Sequence, residues 1–232
     1  MATAAQTIFL FDVDNTLLDN DAIQDDLSAH LEREAGLANR NRYWEIFEEL
    51  RAELGYADYL GALQRYRLEH LEDPQLPQVA FFLLDYPFAT RLYHGALAAL
   101  AHCRRIGPTV ILSDGDVVFQ PRKVQRAGLW DAVEGRVLIY LHKERMLADV
   151  ERRYPAAQYV LIDDKLRILA AVKRAWRERV TTVFARQGHY AHDPRELAAW
   201  PPADLTVAAI GELKSYGLDR LTGGNADAAG DP

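Results

Sequence analysis

Asp12 and Asp14 stand one residue apart, directly after the apolar run Ile8-Phe9-Leu10-Phe11 and before Asn15-Thr16-Leu17. Paired carboxylates can supply a nucleophile and a proton carrier. The run before them reads as a buried strand of a parallel sheet, and ligands in open α/β sheets bind just beyond the carboxyl ends of such strands. Asp-x-Asp reads equally well as a strand-terminating turn, because Asp and Asn bond their own backbone and Asn15-Thr16 can cap a following helix. The residues that end the other strands decide between a turn and a site.

Three further polar sites fall near expected strand ends or helix starts. Ser113-Asp114-Gly115 follows Thr-Val-Ile-Leu, where a hydroxyl and successive backbone N–H groups can hold phosphate oxygens. Lys143 stands at the expected start of a helix and, taken alone, is a solvated lysine. Asp163-Asp164 follows Tyr-Val-Leu-Ile, and adjacent carboxylates at the end of an apolar strand repel unless a cation or hydrogen-bond donors offset their charge. Metal binding is the better reading of that pair.

The elements that must position these groups alternate. From Gly95 onward we expect helix 96–105, strand 109–112, helix 121–127, strand 136–140, helix 143–153, strand 159–162, helix 166–178, strand 181–185 and strand 205–210. That alternation predicts a doubly wound parallel sheet with helices on both faces. Between about 22 and 71 the pattern is helical, with Leu27, Leu31, Tyr43, Ile46, Phe47, Leu50 and Leu54 at three- and four-residue spacing and no convincing strand. The expected organisation is an α/β core (1–17 and 91–221) with an inserted helical cap (18–90), Asp73-Pro74, Pro77 and Tyr86-Pro87 marking the return. The Gly-, Ala- and Asp-rich tail, 222–232, is expected to be disordered.

Composition fits this organisation. The chain has 232 residues, 49% hydrophobic and 26% charged, enough for a sizeable core. A net charge of -7 leaves no broad basic surface for nucleic-acid phosphates, so no nucleic-acid partner is expected. The one cysteine, Cys103, excludes an intrachain disulfide framework and fits a reducing compartment. No positive charge lies in the first six residues, and the apolar run behind them is too short for a signal peptide or a membrane span, so a cytoplasmic protein without a membrane partner is expected.

Taken in order, Asp-Val-Asp-Asn-Thr-Leu, Leu-Ser-Asp-Gly, Lys143 and Leu-Ile-Asp-Asp make the chain resemble the haloacid dehalogenase-like (HAD) hydrolase superfamily, four motifs that span nearly the whole core. The helical region after the first motif is similar to the α-helical cap that many members insert there. The resemblance implies a HAD-like Rossmannoid core and a Mg²⁺ ion held by the Asp12 side chain, the Asp14 backbone carbonyl and Asp164, with Asp163 supporting. On that basis Asp12 is the nucleophile that forms an aspartyl-phosphate. Asp14 is the acid that protonates the leaving alkoxide and then the base that activates water. Ser113 and the amides near Asp114 and Gly115 orient the phosphate oxygens, and Lys143 supplies the positive charge that Mg²⁺ alone does not. Lys123 is a competing lysine; Lys143 is preferred because it precedes the helix leading into the fourth-motif strand, as in the superfamily.

Two departures bear on the reaction. Asp163 stands where many relatives have glycine, and the further acid that usually follows is replaced by Lys165-Leu166-Arg167-Ile168, which leaves the division of labour between Asp163 and Asp164 open. The dehalogenases of the superfamily lack an acid at the position of Asp14, since displacing halide needs no leaving-group protonation. Asp14 therefore favours a phosphatase acting on a small phosphorylated metabolite over a dehalogenase, a phosphotransferase or a non-catalytic binding protein. Oligomeric state is not readable from these features. His189 and His192 have a spacing that can bind zinc, but they lack partners and are expected on a loop within reach of substrate. In the cap, Arg40, Arg42, Tyr43, Trp44, Arg51, Tyr66 and Arg67 could grip an anionic or aromatic group, though packing and solvated faces explain most of them.

Overall fold

Thr7–Phe11 forms strand β1, at the centre of a sheet in which every pairing is parallel. The computed structural model describes residues 7–222, so the expected disordered tail lies, apart from Thr222, outside the described residues. After β1 come four helices, α1 (Asn20–Ala35), α2 (Leu37–Leu54), α3 (Tyr59–Glu69) and α4 (Leu76–Asp85). The alternating part follows: α5 (Ala96–Ile106), β2 (Thr109–Asp114), α6 (Phe119–Arg126), α7 (Leu129–Ala132), β3 (Val137–Tyr140), α8 (Leu147–Arg153), β4 (Gln158–Asp163) and α9 (Leu166–Trp176). It ends with β5 (Val180–Ala185), α10 (Pro194–Ala199), β6 (Leu205–Val207) and α11 (Leu218–Leu221).

The strand order is β3-β2-β1-β4-β5-β6, the doubly wound arrangement whose direction of winding reverses beside β1. Successive β1 residues serve opposite faces. Phe9 and Phe11 join a core with Leu100 and Cys103 of α5 and Val124 of α6, whereas Ile8 and Leu10 join one with Val150 of α8 and Leu169 of α9. Both faces are thus covered, as an all-parallel sheet requires.

Several boundaries differ from expectation, and two of them, the start of α6 and the end of β6, have a reason in nearby side chains. Helix α6 starts at Phe119 rather than at Pro121, because the Asp116 carboxylate accepts the Val118 and Phe119 N–H groups, both at 2.7 Å, and so begins the turn upstream of the proline. The stretch 143–153 divides into a short 3₁₀ turn, Lys143–Arg145, and α8. Strand β6 stops at Val207 because side chains take the next amides: Glu212 Oε2 accepts Ala208 N–H at 3.1 Å, and Gln187 Oε1 accepts Ile210 N–H.

The four-helix insertion is tied to the core by two adjacent crossings. Leu18 and Leu92 form an antiparallel bridge, with Tyr93 N–H donating to Leu17 O at 2.9 Å and Asp19 N–H to Arg91 O at 2.8 Å. The Asp19 carboxylate then caps α1 through Ala22 N–H at 3.0 Å. No helix among the described residues is long and apolar enough to cross a membrane.

Candidate active site

Register brings the first and last acidic sites together. Leu10 lies beside Leu161 and Phe11 beside Ile162, and Asp12 N–H extends the ladder by donating to Ile162 O at 2.9 Å. Asp12 therefore emerges next to Asp163 at the switch point of the sheet, the place where doubly wound folds bind ligands. Asp12 is 4% exposed. The turn behind it is wound tightly: Thr16, Leu17 and Leu18 all direct N–H groups at Val13 O, and Asn15 takes a left-handed φ of 59°. Asparagine tolerates that conformation, and its side chain serves a second purpose by accepting the N–H groups of Asn20 and Asp21 at 3.0 and 3.3 Å, holding the start of α1.

Lys143 is buried between two of the carboxylates, bonded to Asp12 Oδ1 and 2.7 Å from Asp163 Oδ2. Its backbone is fixed from β2, where Asp114 Oδ1 accepts Lys143 N–H at 2.7 Å. Burial opposes charge on this lysine, but Asp12, Asp163 and Asp114 more than offset it and hold its pKa well above the usual lysine range. Thr16 Oγ1 donates to the other Asp12 oxygen at 3.3 Å.

Asp163 and Asp164 are both buried, and burial pushes both carboxyls above the ordinary aspartate range, against the pull of Lys143 on Asp163 and of Lys165 on Asp164. Asp163 Oδ1 is occupied by Lys165 N–H at 2.9 Å, whereas neither oxygen of Asp164 has a hydrogen-bond partner. Asp12, Asp163 and Asp164 each offer a ligand atom within 4.8 Å of the others. An orphaned, buried carboxylate in a cluster of hard oxygen donors suits a divalent cation, so these residues fit a metal ion, and the free oxygens favour Asp164 as a ligand.

Ser113 Oγ accepts Gln120 Nε2–H at 2.9 Å beside this cluster, while Gly115 N–H donates to Tyr140 O at 2.9 Å. The Gly115 amide is engaged by the neighbouring strand and is not free to hold phosphate, which corrects that part of the expectation. Asp114 acts from its side chain, by fixing Lys143. Lys123, the rival lysine, is also buried but serves Asp14 instead, donating to its Oδ1 at 2.8 Å.

Above these groups lies a cleft of about 260 Å³ between the insertion and the core. Asp14, Asn20, Arg51, Tyr56, Lys165 and His189 are among the residues that line it, whereas Asp12, Ser113, Lys143 and Asp164 are buried beside it. Of the cap residues singled out from sequence only Arg51 reaches it: Arg40 pairs with Glu32, Arg42 with Glu69, and Trp44 donates to Ser28 Oγ at 2.7 Å. His189 Nδ1 pairs with Asp21 Oδ1 at 2.6 Å. Sequence reasoning missed Gln120 and Asn20, and left Lys165 as a mere departure. The one signal for Gln120 was its three-residue spacing from Lys123 on the helix that follows Ser-Asp-Gly.

A family model described as haloacid dehalogenase-like hydrolase matches residues 7–175. Among solved structures, a haloacid dehalogenase-like hydrolase from Burkholderia xenovorans LB400 is 65% identical, with 92% of this chain and 99% of that one covered and a TM-score of 0.89. Two others share the fold at low identity. The L-2-haloacid dehalogenase of Xanthobacter autotrophicus, with chloropropionic acid covalently bound, is 19% identical over 91% of this chain and 97% of its own, with a TM-score of 0.59. The magnesium-bound HAD-hydrolase YfnB of Bacillus subtilis is 17% identical over 91% and 98%, with a TM-score of 0.61. No curated protein matches the chain.

Proposed function

The chain belongs to the haloacid dehalogenase-like hydrolases, and from that premise we propose that it is a Mg²⁺-dependent phosphomonoester hydrolase acting on a small phosphorylated metabolite. The observation that carries this reading is Asp14, a carboxylate on the wall of the cleft two residues from the buried Asp12. Transfer of a phosphoryl group from an alkoxide needs a proton donor there; displacement of halide does not.

In this reading Asp12 attacks phosphorus as the ester P–O bond breaks, and Asp14 delivers its proton to the departing oxygen. The Asp14 carboxylate next takes a proton from water, whose attack on the aspartyl-phosphate releases inorganic phosphate and restores Asp12. Lys143 and the Ser113 hydroxyl face the phosphoryl oxygens. Asp12, Asp164 and the Asp14 carbonyl would hold Mg²⁺, with Asp163 supporting, and the ion when bound offsets charge on those oxygens.

The test is release of phosphate from a panel of sugar phosphates, nucleotides, phosphoglycolate and aryl phosphates with Mg²⁺, run beside release of halide from 2-haloacids. Phosphate release that disappears in Asp12→Asn is expected. Halide release without phosphate release would overturn the proposal in favour of the dehalogenase reading, and retained activity in Asp12→Asn would remove Asp12 as nucleophile.

A further inference from the structure

Lys123 is fully buried on α6, outside the four motifs, and each part of its ammonium group is engaged. It donates to Asp14 Oδ1 at 2.8 Å and to Asn20 Oδ1 at 3.0 Å, and its remaining side faces the rings of Phe119 and Tyr59, with centroids 5.1 and 5.7 Å away. No surface of it is left for a substrate oxygen. Taking an ammonium group out of water costs several kcal/mol even after relaxation, and an apolar side chain of similar volume would avoid that cost. Stability is therefore a poor reason for a charge at this position.

What the charge does is geometric. Asp14 has a short, partly exposed side chain that would otherwise choose among rotamers. Lys123 takes Oδ1, while Oδ2 receives only the longer contact from Gln120 Nε2 at 3.3 Å. Gln120 and Lys123, one helical turn apart on α6, thereby hold Asp14, Gln120 bridging it to Ser113 Oγ, and Asn20 holds Lys123 in turn through its own bond to the Tyr59 hydroxyl at 3.1 Å. We propose that Lys123 is a positioning residue for this hydrolase, fixing the Asp14 carboxylate in the orientation from which its more weakly held oxygen, Oδ2, serves the leaving group. The proposal rests on Asp14 acting as the acid of a phosphatase.

The test is Lys123→Met, compared with the unmodified protein in kcat/KM for two esters, glycerol 2-phosphate and 4-nitrophenyl phosphate. This parameter covers the steps up to departure of the leaving group, so the shared hydrolysis of the aspartyl-phosphate does not mask the difference. An alkoxide needs Asp14's proton; a nitrophenolate leaves as a stable anion. A well-placed general acid contributes about 10²–10⁴-fold, and its misplacement is expected to lower kcat/KM for the alkyl ester by about 10–100-fold, at least tenfold more than for the aryl ester. Equal losses on the two esters, or no loss on either, would overturn the proposal. If Lys123→Met does not fold, Lys123→Leu, which likewise removes the donor, carries the same comparison.

A crystal structure of the variant gives a second readout that needs no activity. Asp14 is expected in a new or divided rotamer with Asp12 unmoved, and an unmoved Asp14 would refute the proposal. A wild-type protein that releases phosphate from none of the esters in the panel above overturns the phosphatase reading instead, and the crystallographic comparison still decides the role of Lys123.

Discussion

Lys143 and Asp12 are bonded to each other, yet removing one is not equivalent to removing the other. Lys143 pairs with both Asp12 and Asp163, and all three are buried. Lys143→Met leaves two carboxylates facing each other with their shared cation gone, and breaking a buried ion pair in this way costs about 3–5 kcal/mol. For a domain of this size that corresponds to a fall in Tm of roughly 6–20 °C. In Asp12→Asn, Lys143 keeps Asp163, and the amide oxygen can still accept its hydrogen bond. We expect Asp12→Asn to melt within a few degrees of the parent while losing activity, and Lys143→Met to melt far lower, as measured by calorimetry on both. Matching melting temperatures would mean that Lys143 contributes charge to substrate without holding the site together. Inactivity of Lys143→Met alone is therefore no evidence of a catalytic role, whereas inactivity of Asp12→Asn is.

At the scale of elements, the site depends on how closely the loop after β5 approaches the turn after β1. Gly188 has a φ of +69°, and a Cβ there would lie 2.5 Å from Asn15 Cβ. A side chain at Gly188 would meet both a left-handed backbone penalty of about 1–2 kcal/mol and a clash with the residue that holds the start of α1. Gly188→Ala is expected to cost about 2–3 kcal/mol in urea unfolding and to lower kcat/KM; an unchanged midpoint would show that the loop gives way freely. None of this closeness could be read from the sequence, where Gly188 was only part of a loop. What was legible was each feature that a strand carries within itself: Ile8-Phe9-Leu10-Phe11 ending in acids, Thr-Val-Ile-Leu ending in Ser113, Tyr-Val-Leu-Ile ending in Asp163-Asp164. Parallel pairing then brings such strand ends to one edge of the sheet. Lys123 was visible as a residue but not as Asp14's partner, because that pairing depends on which face of α6 packs beneath the insertion. The start of α6 was misplaced because a proline marks a helix start only when nothing upstream caps an earlier turn, and Asp116 does.

For the molecule as a whole, the buried cluster of Asp12, Asp163 and Asp164 couples function to stability. Burial raises Asp164 above the ordinary aspartate range, and neither of its oxygens is bonded. A carboxyl whose folded pKa exceeds its unfolded value favours the folded state below both values, and that contribution is lost as pH rises through the folded pKa. Above the ordinary aspartate range the metal-free protein has thus given up stability through Asp164, and to a lesser degree through Asp163, whose pairing with Lys143 limits the rise. Asp164→Asn removes the titrating group, so the metal-free variant is expected to melt a few degrees above the metal-free parent at pH 7.5 and to lose that advantage as pH falls. A cation that binds only the folded protein reverses the order: at about 100 times its Kd it adds about 2.7 kcal/mol, or roughly 5–10 °C in Tm for a domain of this length. Protons compete for the same oxygens, so the shift given by Mg²⁺ should shrink as pH is lowered from 7.5 toward 5.5. Thermal melts of parent and Asp164→Asn, each with EDTA and with Mg²⁺ across that pH range, read all of this at once. Equal Mg²⁺ shifts in the two proteins would exclude Asp164 as a ligand, and a parent shift that grew toward low pH would exclude the acidic cluster as the binding site.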